Sequence, residues 1–222
     1  MKTVKVIESI ITWQGEGIDV GKRMLLLRFK HCNLNCSWCD TKVKMRVLQE
    51  ATYPIEQLQK IINEEKCGLM ITGGEPTFDP HFHETVTLLS DLNYPFANVE
   101  SNGYNLLELV KGNHGSENIS YIYSPKILKD DDYEKVLQTT VDIMKYPNVY
   151  IKYVIGKDDN ENILTLEYLK LLNNLEYNNR VYLMPKGENE EQLKQSAPTV
   201  FDLAEEFKFN FSTRSHIIYN FV

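Results

Sequence analysis

The sequence is poor in cysteine and tryptophan and has no second C-x2-C pair, no internal repeat and no low-complexity linker. No apolar run approaches the roughly 20 residues needed to span a bilayer, and MKTVKVIESI lacks the apolar stretch of a secretory signal. Both absences point to a cytoplasmic chain without a membrane partner. Basic residues are in the minority too: 24 Lys and Arg against 31 Asp and Glu leave a formal charge of −7, which argues against a broad nucleic-acid face. With only four cysteines in 222 residues, a disulfide framework is not expected in a reducing compartment, and a chain of this length buries a core without one.

Three of those four cysteines sit together. Residues 31–40 read HCNLNCSWCD, placing Cys32, Cys36 and Cys39 in a C-x3-C-x2-C pattern. Thiols this close cannot staple distant parts of a fold, so metal or cluster ligation is the expected use. A structural zinc ion asks for four ligands, commonly from two knuckles; here there is one knuckle plus one cysteine. A four-iron cluster fits better, because three thiolates hold three irons and leave the fourth open to a ligand. Cys67, at the head of the apolar run CGLMIT, reads as a small buried hydrophobe.

Around this loop, short β-branched apolar runs alternate with helical patterns. The runs are 24–29, 68–73, 96–101, 119–124, 149–155 and 180–185. They lack strict polar alternation, as expected of parallel strands buried on both faces. Helical spacing follows in 54–65, where Ile55, Leu58, Ile61 and Ile62 form one stripe after Pro54. Helices are likewise expected in 81–92, 162–175 and 189–207, the last broken or kinked at Pro198, and KDDDYEKV reads as a solvated helix start. Six β/α units imply an α/β fold, with an open doubly wound sheet and an incomplete barrel both compatible. Either layout gathers chemistry at strand C-termini. The cysteine loop, TGGEP (72–76), ESNG (100–103) and SPK (124–126) all fall there.

TWQGEG (12–17) adds a polar, glycine-bracketed segment in which Gln14 donates and accepts, and Glu16 accepts when ionised; a plain turn is the alternative reading. Arg28, inside LLLRFK, requires an anionic partner, which a substrate carboxylate and an internal salt bridge would supply equally well. His81, His83 and His114 are expected on the surface.

CNLNCSWC followed one unit later by TGGEP resembles the radical S-adenosylmethionine superfamily. The further sequence of QGEG, Arg28, CNLNCSWCDT and TGGEP resembles, within it, the 7-carboxy-7-deazaguanine synthase family, most tightly over residues 8–80. That resemblance implies a single radical SAM domain over 1–222, an incomplete (β/α) barrel of about six strands, with a cluster loop at 31–41 and a C-terminal segment, 207–222, closing over the substrate. It implies a 4Fe-4S cluster on Cys32, Cys36 and Cys39 whose open iron takes the methionine end of S-adenosylmethionine, cleaved to a 5′-deoxyadenosyl radical. Trp38, Cys39, Asp40, Gly74, Ser124, Pro125, Lys126, Met184, Pro185, Lys186 and Gly187 would line that cofactor. The family often carries glutamine where Met184 stands, so Met184 is expected to pack by its thioether.

Thr41 would bind Mg2+ through its hydroxyl. Trp13, Gln14, Gly15, Glu16, Arg28, Thr72, His216 and the terminal carboxylate of Val222 would hold a pterin. The implied reaction converts 6-carboxy-5,6,7,8-tetrahydropterin to 7-carboxy-7-deazaguanine by ring contraction and ammonia loss, a carbon–nitrogen lyase step in queuosine-type biosynthesis. A flavodoxin or ferredoxin electron donor and a homodimer are also implied. The competing readings are a glycyl-radical activase, which would not need QGEG with a strand arginine, and a non-catalytic metal-binding module.

Overall fold

The computed structural model describes residues 2–113, 116–128, 133–159 and 162–221; the expectations for His114, Val222 and much of KDDDYEKV fall outside them. Two compact units can be distinguished, Met1–Thr12 with Lys22–Ile122, and Trp13–Gly21 with Tyr123–Val222.

The first unit is built on β2 (Glu8–Trp13), β3 (Arg23–Phe29), β5 (Gly68–Gly73), β6 (Ala97–Ser101) and β7 (Ile119–Tyr123), in the order β2-β3-β5-β6-β7. β3 pairs with β5 in parallel, Met24 opposite Gly68 through Phe29 opposite Gly73, and β5 pairs with β6 in the same sense. Every residue from Met24 to Phe29 is buried, as two-sided coverage of a parallel strand requires. Ahead of this sheet, β1 (Thr3–Val6) forms an antiparallel pair with β4 (Ala51–Pro54).

Helices α1 (Lys42–Val47), α2 (Ile55–Glu65), α3 (Asp79–Asp91) and α4 (Leu106–Gly112) belong to the same unit. In α2 the apolar stripe buries Ile55, Leu58 and Ile62, while Pro54 takes the capping position. α3 begins at Asp79, two residues before the stretch singled out in the sequence, because Pro80 fits its first turn. His81 consequently lies on the buried side of α3 and is only 3% exposed, against the surface expectation; His83 is exposed as expected. Cys67 is buried at the start of β5.

The second unit contains α5 (Tyr133–Ile143), β8 (Val149–Ile155), α6 (Ile163–Asn174), β9 (Val181–Pro185), α7 (Glu190–Phe207), β10 (Asn210–Phe211) and α8 (Ser215–Ile218). Its strands run in the order β8-β9-β10, parallel throughout. Asn162 and Asn189 cap α6 and α7, accepting from the amides of Thr165 and Gln192 at 3.1 and 3.0 Å. α7 runs as one helix through Pro198, so the expected break does not occur. The core centres on Tyr168, whose hydroxyl lies 3.0 Å from Thr140 Oγ1 and whose ring packs against Tyr153.

All six apolar runs are strands, and the chain is an α/β protein with mostly parallel pairing. The added strands β1, β2, β4 and β10 are peripheral to those runs.

Candidate active site

The cysteine loop leaves β3 at its C-terminal end, and its first residues extend the pairing with β5. Gly74 N–H donates to Phe29 O at 2.9 Å and Glu75 N–H to His31 O at 2.8 Å. This close approach explains the glycine pair. A Cβ on Gly74 would stand 2.0 Å from the His31 carbonyl oxygen, and one on Gly73, where φ is +127°, 2.3 Å from the Phe29 amide nitrogen. The glycines admit the neighbouring strand end, a use the sequence alone did not distinguish from ligand access.

Glu75 lies within TGGEP, where its residue type alone implies no particular role. It is 1% exposed, and its Oε1 accepts from Thr77 N–H, Thr77 Oγ1 and Ser101 Oγ at 3.0, 2.6 and 2.7 Å. Oε2 accepts from Asn102 N–H at 2.6 Å. Burial pushes its carboxyl up, and the hydrogen bonds from Thr77, Asn102 and Ser101 oppose that. The carboxylate thereby joins the ends of β5 and β6. Asn102, half-buried, turns its amide toward Asn33 and Cys32.

Cys32, Cys36 and Cys39 are all half-buried and reduced. Leu34 N–H points at Cys32 Sγ at 3.4 Å, and Cys39 Sγ lies 3.4 Å from Thr41 Oγ1. Burial pushes the Cys32 thiol up to about 11, so ligation must displace its proton. Among the described residues no three His, Cys, Asp or Glu side chains converge as ligands of a single ion; three thiols strung along one loop instead suit a cluster that offers each a separate iron. Trp38 is partly exposed beside them. Thr41 takes the capping position of α1. Beneath the loop, His81 stacks on Phe29 at 4.6 Å and on His31 at 5.6 Å, and its Nε2 accepts from His31 N–H at 3.1 Å. Burial, then the neighbouring His31, lowers its pKa to about 4, which keeps Nε2 an acceptor.

Arg28 stands opposite Thr72 in the β3–β5 ladder. Its Nε donates to Glu8 Oε2 at 2.7 Å, and Lys44 Nζ donates to Glu8 Oε1 at 2.9 Å. Burial raises the Glu8 carboxyl, but Arg28 and Lys44 outweigh it and hold the group below its ordinary range. The internal salt bridge weighed from sequence is therefore present.

In the second unit, Glu16 is the hub. Its Oε2 accepts from Lys152 Nζ at 2.6 Å, its Oε1 from Arg214 Nε at 2.8 Å, and His216 Nε2 lies 3.7 Å away. Burial works against ionisation, but Lys152, Arg214 and His216 overcome it and hold the carboxyl far below its ordinary range. The acceptor expected to face a ligand is thus engaged by its own chain, through two cations not singled out in the sequence. Gly15 O accepts from Ser215 N–H at 3.0 Å, and a Cβ on Gly15 would stand 2.3 Å from His216 Nδ1. Gly17 N–H donates to Ser212 Oγ at 2.8 Å, and Arg214 Nη1 to Gly187 O at 2.7 Å. TWQGEG is therefore fastened to segment 212–216. Gln14 is buried, and Trp13 is exposed and packs edge-on against Phe221 at 6.1 Å.

The remaining residues assigned to the cofactor lie at the C-terminal ends of their own strands. Ser124 and Pro125 follow β7, and Lys126 Nζ turns back to Ser124 O and Oγ at 3.0 and 2.7 Å. Met184 and Pro185 are buried at the end of β9. Lys186 N–H continues the ladder to Ile155 O at 2.8 Å, and Gly187 follows it.

Parallel strands with a three-cysteine loop pinned to a glycine-rich strand end define the radical SAM class of fold and site. Residues 26–198 match the Radical SAM superfamily. The chain is 30% identical over 177 residues to the 7-carboxy-7-deazaguanine synthase of Thermoplasma acidophilum, 76% of each chain being covered. It is 33% identical over 134 residues to that of Haemophilus influenzae, covering 60% of this chain and 56% of that one. The matched part spans about half the length of that protein and of its namesakes from Neisseria meningitidis and Clostridium acetobutylicum (46% and 48%). A crystal structure of QueE from Escherichia coli shares the fold, with a TM-score of 0.62 at 19% identity, over 96% of this chain and 95% of that one. The chain belongs to the radical SAM superfamily and, within it, to the 7-carboxy-7-deazaguanine synthase family. Membership implies a 4Fe-4S cluster and S-adenosylmethionine, and the three closely spaced thiols of the loop fit the cluster.

Two expectations follow. Gly74→Ala forces a side chain against the His31 carbonyl and should destabilise the chain by about 1–3 kcal/mol while lowering the iron retained after anaerobic loading; an alanine variant that melts and loads like the parent would contradict this. Glu16→Gln should cost about 3 kcal/mol at pH 7 by leaving Lys152 and Arg214 without their shared anion. Because the folded carboxyl is held low, its contribution is full above about pH 4.3 and is lost as pH falls toward the folded value. Urea unfolding at several pH values should therefore show the parent and variant converging in acid; a gap independent of pH would refute the linkage.

Proposed function

We propose that the chain is a 7-carboxy-7-deazaguanine synthase, a carbon–nitrogen lyase acting on 6-carboxy-5,6,7,8-tetrahydropterin as one radical SAM domain. The observation that carries this reading is the cysteine loop held to the Gly73–Gly74–Glu75 strand end by paired backbone hydrogen bonds, in a chain whose relatives bear that enzyme's name. The glycyl-radical activase and the non-catalytic module have no comparable support.

In this reading Cys32, Cys36 and Cys39 hold the cluster, and the backbone at Gly74 receives the methionine end of S-adenosylmethionine. Bound together, the two groups supply the radical chemistry that removes a hydrogen atom from a carbon. Trp38 and Asp40 in the cysteine loop, together with the segments 124–126 and 184–187, line the cofactor. Thr41 would offer Mg2+ its hydroxyl oxygen, and the ion would serve to orient the substrate carboxylate. Arg28 keeps its guanidinium directed by Glu8 and, with Thr72 beside it, binds that carboxylate.

Trp13, Gln14 and the backbone at Gly15 take the pterin edge, with His216 and the Val222 carboxylate. Glu16 serves the same site by fixing this segment through Lys152 and Arg214, and residues 207–222 close over the substrate. An external one-electron donor of the flavodoxin or ferredoxin kind, a homodimeric assembly, a cytoplasmic location and a place in queuosine-type biosynthesis complete the reading.

The test is anaerobic incubation of the iron-loaded chain with reductant, S-adenosylmethionine, Mg2+ and the tetrahydropterin, with the product identified by mass. Formation of 7-carboxy-7-deazaguanine is expected. Brisk 5′-deoxyadenosine release without it would discard this substrate. Arg28→Ala should raise KM for the pterin roughly tenfold or more and leave substrate-free cleavage of S-adenosylmethionine unchanged; equal loss of both would remove Arg28 from the substrate site.

A further inference from the structure

Asn102 lies on the loop after β6, outside every role assigned so far. Its side-chain orientation is fixed at both ends. Oδ1 accepts from Tyr104 N–H at 3.2 Å, so the amide nitrogen must point the other way. There Nδ2 reaches Asn33 Oδ1 at 2.9 Å and Cys32 Sγ at 3.7 Å, one hydrogen for each. Behind it, Asn102 N–H is tied to Glu75 Oε2 at 2.6 Å, and the next residue but one before Gly103, Ser101, is bonded to Oε1 of the same carboxylate. Gly103 N–H in turn donates to Ser101 Oγ at 3.0 Å. A buried, fully engaged carboxylate thus aims an amide donor at the first thiol of the cysteine loop.

We infer that Asn102 is a positioning residue for the cluster: its amide holds Cys32 and donates to its sulfur, with Glu75 fixing the loop that presents it. The inference rests on the cluster reading above. Donors to ligand sulfurs are among the groups that set a cluster's potential, and partners outside the ligand set orient the ligands. Reduction adds negative charge to the cluster and its thiolates. A donor at Cys32 therefore favours the reduced form and makes reduction easier, a task distinct from holding the fold.

Parent, Asn102→Ala and Asn102→Asp are to be loaded with iron and sulfide anaerobically, then compared by iron content, Tm and an EPR-monitored redox titration. With iron and Tm retained, Asn102→Ala should shift the reduction equilibrium roughly three- to tenfold toward the oxidised form. Asn102→Asp, which keeps the acceptor for Tyr104 N–H and puts negative charge where the donor was, should shift it further. Loss of iron at unchanged Tm would also support the assignment, as failure to hold Cys32. Unchanged potentials in variants that keep their iron would overturn it, and so would iron loss that only accompanies unfolding of both variants. If alanine alone unfolds the chain, the aspartate variant decides by the same readings. A parent that takes up no iron would overturn the cluster reading, and this inference with it.

Discussion

The Glu75 carboxylate is the constraint on which the first unit's active rim depends. Burying a carboxyl group is costly unless donors surround it, and here Thr77, Ser101 and Asn102 supply them. Because Thr77 follows β5 while Ser101 ends β6 and Asn102 follows it, satisfying the carboxylate fixes the end of β5 against the end of β6. The backbone amides of Gly74 and Glu75 then carry the β5 ladder past its last strand residue onto Phe29 and His31. That places the first residue of the cysteine loop, while His81 supports the loop from beneath. A loop with half-buried thiols and little apolar surface is thus positioned by polar contacts whose geometry is strict.

The second unit uses the same device with opposite emphasis. Glu16 is buried under two cations rather than under neutral donors, so its charge is retained and binds segment 212–216 to TWQGEG. Removing one partner of a buried ion pair of this kind leaves an uncompensated charge and destabilises the fold, which gives both segments a shared fate on mutation. Arg28, Glu8 and Lys44 repeat the arrangement near the β3 end. In each case an anion within the chain sets the direction of its cations.

Much of this was legible in the residues themselves. The six strands of the apolar runs announce themselves in the sequence, since two-sided burial leaves no strict polar alternation. The cysteine spacing and the glycine pair identify their loops because few other structures need those residues there. What stayed hidden depends on distant partners. β4 reads ATYP and has no fully buried residue, so only its pairing with β1 makes it a strand. His81 looks like surface in HFH, yet α3 starts early enough to turn it inward. Lys152 and Arg214 become meaningful only beside Glu16, 136 and 198 residues away. Glu75 stood in plain view within TGGEP, but its role lies in ESNG, one β/α unit later.

The central claim is that three thiolates leave one iron of a four-iron cluster open to S-adenosylmethionine. Mössbauer and EPR spectra of the anaerobically loaded chain, recorded with and without that cofactor, test it most directly. One iron site should separate from the other three on addition, and the EPR signal of the reduced cluster should change shape. Four equivalent sites that ignore the cofactor, or a chain that binds no cluster, would contradict the account.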